Sequence, residues 1–121
     1  MGEWDGLTFD EVKTKYAQDY KNRGENIAEF TIKNGESFSQ CQKRAVTVFK
    51  DIINLTNGNI VICSHAGFIR TLICSLLNKS LTDMFDIKQN YGAINIITCE
   101  GQNLFVEGIN LKSLERIKKI D

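Results

Sequence analysis

Asn59-Ile60-Val61-Ile62-Cys63-Ser64-His65-Ala66-Gly67-Phe68-Ile69-Arg70-Thr71-Leu72-Ile73-Cys74-Ser75-Leu76-Leu77 is the stretch on which the fold turns. Residues 59–64 are mostly apolar and β-branched, the pattern of a buried strand. From Phe68 to Leu77 the apolar residues read as a helix, ending at about Asn78. Between the two lies His65-Ala66-Gly67, which holds the chain's only histidine. A histidine at the carboxyl end of a buried strand, facing a helix N-terminus, is well placed to meet an anion. Backbone N–H groups and the positive end of the helix dipole point at the same spot. Carboxyl ends of sheet strands are also where α/β proteins hold their ligands. The plainer alternative is a core histidine whose ring donates to a backbone carbonyl. The strand–His–Gly–helix junction favours the anion site.

Working outward towards the N-terminus, Phe38, Cys41, Ala45, Val48, Phe49, Ile52 and Ile53 recur at helical spacing and make one apolar face. Gly35-Glu36-Ser37 precedes them, with Ser37 as N-cap, and Asn57-Gly58 closes the helix. Glu36 is read either as part of that cap or as an acid facing the site. Further back, Thr8-Phe9-Asp10-Glu11 has the form of a capping box. It opens a helix to about Asn22 with Val12, Tyr16 and Tyr20 on one face and Gly24 as a stop. Residues 25–34 are expected to be loop. Trp4, between glycines, is expected to be a packing anchor.

Towards the C-terminus, residues 81–88 are short and irregular. Ala93-Ile94-Asn95-Ile96-Ile97-Thr98-Cys99 reads as a strand, Glu100-Gly101-Gln102-Asn103 as a turn and Leu104-Phe105-Val106-Glu107 as the hairpin partner. A final helical turn is expected from Leu111. This order of elements predicts an α/β layered structure in one domain, residues 1–121. Three strands are too few for a sheet with helices on both faces.

Composition narrows the function classes. Fifteen basic residues balance fifteen acidic ones, so nothing electrostatic favours nucleic acid or an anionic membrane. No apolar stretch approaches the ~20 residues that span a bilayer, and no membrane partner is expected. The four cysteines, Cys41, Cys63, Cys74 and Cys99, form no CxxC pair, and with one histidine the residues argue against a zinc site. Three of them lie in apolar periodic segments, which predicts buried thiols, a reducing compartment and a cytoplasmic chain. Arg70, five residues after His65, either pairs with a carboxylate or helps set the charge of the site. Cys63 shares a strand face with His65, but two residues of one strand rarely meet at hydrogen-bonding distance. A cysteine-dependent hydrolase is therefore the weakest reading.

Four motifs in order, Gly2-Glu3-Trp4-Asp5-Gly6-Leu7-Thr8, Gly35-Glu36-Ser37, Val61 to Arg70 and Asn90-Tyr91-Gly92-Ala93-Ile94, resemble the histidine phosphatase (phosphoglycerate mutase-like) superfamily. The spacing is most similar to its small bacterial, α-ribazole phosphatase-like branch. The resemblance implies a three-layer α/β/α sandwich and phosphomonoester hydrolysis through a phosphohistidine, without a metal or other cofactor. It implies that His65 is the second histidine of the site, donating to phosphate oxygens with the Ala66 and Gly67 backbone beside it. Glu36 and Arg70 are supporting candidates. Ala66 stands where the family more often has glycine, and its N–H is retained. The family's nucleophile lies in an Arg-His-Gly motif after its first strand, and the 121 residues contain no other histidine.

On this reading the chain resembles the C-terminal part of a member, truncated before the first strand, and carries half of the site. The ligand expected is a small phosphorylated metabolite or inorganic phosphate. The unpaired edge left on strand 59–64 predicts self-association. It also supports the alternative reading, a non-catalytic interaction module.

Overall fold

Two helix starts foreseen in the sequence are closed by their own side chains. Thr8 sits in extended conformation before α1 (Phe9–Lys15), and its Oγ1 accepts the Glu11 N–H at 3.1 Å. Ser37 opens α3 (Phe38–Leu55) with a complete capping box: its Oγ accepts the Gln40 N–H at 3.1 Å, and the Ser37 N–H donates to Gln40 Oε1 at 2.9 Å. Such a pair satisfies two N–H groups that a helix start would otherwise leave without partners. The computed structural model describes residues 1–113; the helical turn expected from Leu111 falls largely outside the described residues.

The chain divides into two compact units, Met1–Cys63 and Ser64–Asp121. In the first, the expected single helix after Thr8 is two. Tyr16 leaves helical conformation (φ −124°, ψ 46°) and separates α1 from α2 (Ala17–Glu25). Gly24 does not stop α2, which runs one residue further. Residues 26–37 form turns and connecting backbone without strand or helix, as expected of a loop. Trp4 is the anchor of this unit. Only 2% exposed, it forms a core with Val12 and Ile32, against which Leu7, Tyr16, Tyr20 and Phe30 pack. The backbone around Gly2 lies directly on the 33–35 turn, where Glu3 N–H donates to Lys33 O at 2.9 Å.

The second unit is built on α4 (Ala66–Leu76), whose Thr71, Leu72, Ile73 and Cys74 are buried. It lies against a 3-10 turn, Leu81–Asp86, that buries Leu81 and Met84. The hairpin forms as expected, β1 (Ile94–Glu100) pairing antiparallel with β2 (Asn103–Leu111). Gly101, at φ +62°, supplies the left-handed residue that a two-residue hairpin loop requires. β2 outlasts its sequence reading by four residues because the pairing slips between Ile94 and Ile97, a bulged stretch that places Asn110 at φ +57°.

Two expectations are corrected. Residues 59–64 form no strand among the described residues, and Ile60, Val61 and Ile62 are exposed. A β-branched run is only a potential strand. It becomes one when another strand takes its N–H and C=O groups, and among the described residues the hairpin pairs only with itself. The thiols are not uniformly buried either: Cys74 is, Cys41 is partly covered, and Cys63 and Cys99 are exposed. Cys63 goes with the unpaired run, and Cys99 lies beside the hairpin turn.

Candidate functional site

His65 is the N-cap residue of α4, in extended conformation (φ −112°, ψ 153°). Its carbonyl accepts the Ile69 N–H at 2.9 Å and so starts the helix ladder. Its side chain caps nothing, is exposed, and makes no hydrogen bond among the described residues. The core-histidine reading is thereby excluded. Among the described residues no side chain caps the Ala66 and Gly67 N–H groups either. An imidazole and two first-turn N–H groups therefore stand together at the positive end of an eleven-residue helix. This arrangement can donate hydrogen bonds to an oxyanion.

Arg70 lies one turn further along α4 in the same unit. It pairs with no carboxylate among the described residues. Its Nε–H donates to the Ile87 carbonyl at 2.8 Å, and its guanidinium carbon is 5.4 Å from the Phe85 ring centroid. The arginine thus ties α4 to the turn after it and keeps its other N–H groups for further partners. The Ile87 carbonyl and the Phe85 ring were not foreseen. Nothing in their spacing from Arg70 marks them, since the contact closes a loop of 17 residues.

Glu36 belongs to the first unit. Ser37 and Gln40, not Glu36, supply the side chains of the capping box. The Glu36 carboxylate instead meets Arg44 through two hydrogen bonds, Arg44 Nη2 to Oε1 at 2.8 Å and Arg44 Nε to Oε2 at 3.1 Å. The Arg44 guanidinium holds the Glu36 carboxyl below the usual carboxylate range, and Glu36 in turn raises the arginine. Arg44 escaped the sequence reading because it lies eight residues on, two helical turns away, outside the three- and four-residue spacings that mark helix pairs.

The loop leading into β1 is held by amides. Gln89 and Asn95 exchange two hydrogen bonds, of 2.7 and 2.8 Å, Asn110 N–H donates to Asn95 Oδ1, and Asn90 N–H donates to Asn110 Oδ1. This network fixes the turn Asn90–Ala93 against the bulged part of the hairpin and leaves Tyr91 fully exposed.

Solved structures share this fold. YhfR of Bacillus stearothermophilus superposes with a TM-score of 0.78 at 23% identity, over 88% of this chain and 54% of that one. The α-ribazole phosphatase of Shigella flexneri superposes with a TM-score of 0.77 at 20% identity, over 91% and 55%. The fold is thus the α/β type of phosphoglycerate mutase-like proteins, of which the two units carry a part. The sequence model of the histidine phosphatase superfamily (branch 1) matches residues 1–112, and the chain belongs to that superfamily. Phosphoserine phosphatase 1 of Hydrogenobacter thermophilus is 22% identical over 111 residues, 91% of this chain and 53% of that protein. The chain spans about half the length of each of these three proteins.

Proposed function

We propose that this chain is part of a phosphomonoester hydrolase that works through a phosphohistidine, and that His65 binds and stabilises the phosphoryl group. The observation that carries the reading is the uncommitted imidazole of His65 at the bare N-terminus of α4. In such a mechanism a histidine nitrogen attacks phosphorus, the alcohol leaves with a proton, and water then cleaves the phosphorus–nitrogen bond. In the transition state negative charge is spread over the three transferring oxygens, and donors preorganised around them lower the barrier. His65 and the Ala66 and Gly67 N–H groups are such donors, and Arg70, with N–H groups to spare, supports them.

The single histidine of the 121 residues is assigned to this second role, so the nucleophile has to come from outside them and turnover by the chain alone is weak or nil. The superfamily match runs across both units, and we take residues 1–121 as one partial domain. Its ligand is a small phosphorylated metabolite or inorganic phosphate, and no nucleic acid, membrane or cofactor is invoked. None of the four cysteines forms a disulfide, which favours a reducing compartment such as the cytoplasm. No helix among the described residues is long and apolar enough to cross a membrane.

The test pairs hydrolysis of an aryl phosphate with binding of vanadate, in the wild-type chain and in His65→Ala. Saturable vanadate binding that the substitution weakens tenfold or more, with little or no turnover in either protein, is the expected result. Equal vanadate affinity in both would remove His65 from the site. Turnover abolished by the substitution would mean that the site is complete without a second histidine. A second reading, an interaction module, is favoured by the exposed run Ile60-Val61-Ile62, which offers unpaired backbone to another copy of the chain.

A further inference from the structure

Arg23 of α2 is half-buried and lies close to two aromatic rings. Its guanidinium carbon lies 5.5 Å from the Trp4 ring centroid and 5.2 Å from that of Phe38. Ring faces attract the flat faces of a guanidinium, but they accept nothing from its in-plane N–H groups. Among the described residues Arg23 makes no ion pair and no hydrogen bond. Burial lowers its pKa, only partly offset by the Tyr20 phenol. Covering a cation without an anion is costly, and proteins normally pair such a charge. A second donor lacks a partner on the same stack: Trp4 Nε1–H is fully buried and has no acceptor. The cluster holds another cation, Lys13, whose Nζ lies 5.4 Å from the centroid of Tyr20, the ring stacked on Trp4 at 6.4 Å.

We propose that Arg23, held against Trp4 and Phe38, binds an oxyanion group, a carboxylate or phosphate, of a small ligand. Contact with two rings restricts the guanidinium, and its N–H groups, unused among the described residues, form the fork that takes a carboxylate or phosphate through two parallel hydrogen bonds. The position lies in the Met1–Cys63 unit and uses no residue of the His65 site, so it stands independently of the function proposed above.

Trp4 is the chain's only tryptophan, and its fluorescence reports on Arg23 directly. The full chain is titrated with inorganic phosphate and, separately, with acetate, at constant ionic strength. A saturable change with at least one of them is expected, and the anion that produces it identifies the group recognised. Arg23→Gln is expected to weaken it tenfold or more. Arg23→Lys is expected to weaken it as well, because an ammonium keeps the charge but not the fork.

Absence of a saturable change with either anion overturns the proposal, as does an undiminished response in Arg23→Lys, the variant that decides if Arg23→Gln fails to fold. A response lost in His65→Ala but kept in both Arg23 variants also overturns it, while supporting the phosphate site at α4.

Discussion

Gly2 adopts φ +62°, and a Cβ on it would lie 2.3 Å from Lys33 O and 2.5 Å from Gly35 N. Both obstacles are backbone, so a side chain there must push the turn away and also accept a left-handed conformation. Gly2→Ala is expected to destabilise the first unit by about 1–3 kcal/mol, read from thermal unfolding monitored through Trp4. Gly6, also left-handed, has open space around it and is expected to tolerate alanine better.

Glu36 gives a pH-dependent prediction. Its folded pKa is lowered by Arg44, so its stabilisation is fully present above the unfolded carboxylate value and is lost as pH falls through the lower folded one. The pair is largely exposed, which limits the effect to about 0.5 kcal/mol. Denaturant unfolding should therefore separate wild type from Glu36→Gln by that amount at neutral pH, with the gap closing as the pH falls through the lowered folded value. At this scale much was legible beforehand. Trp4 as anchor and Ser37 as cap follow from local chemistry, whereas the partners of Glu36 and Arg70 depend on contacts that no short-range spacing encodes.

Among the elements, α4 carries the buried side of the second unit. Ile73 is 0% exposed, and Ile73→Ala is expected to cost about 2–4 kcal/mol in that unit's unfolding free energy, through lost burial and an incompletely filled cavity. The helices and the hairpin were readable because a helix or a two-strand turn closes its own hydrogen bonds. Residues 59–64 were misread for the opposite reason: whether a strand exists is settled by what lies beside it, and composition records only aptitude. The break at Tyr16 was hidden as well, since Val12, Tyr16 and Tyr20 keep the spacing of one continuous helix. The candidate site suffered less, because its frame is the start of α4, which local sequence does determine.

For the whole molecule, the junction of the two units lies next to the exposed run. Val61, 90% exposed, is expected to dominate any self-association. Sedimentation velocity of Val61→Lys should show less oligomer than wild type at equal concentration; unchanged profiles would discount pairing through this run. Each unit also holds its own observer. Trp4 is buried in the first. Cys74 is buried in the second, its thiol made still less reactive because burial disfavours the thiolate. A thiol reagent applied in pulses during denaturation would mark the opening of the second unit at Cys74, while tryptophan emission timed the loss of the first. The order in which the two halves melt is thus written into the molecule as a dye-free optical clock and a chemical one.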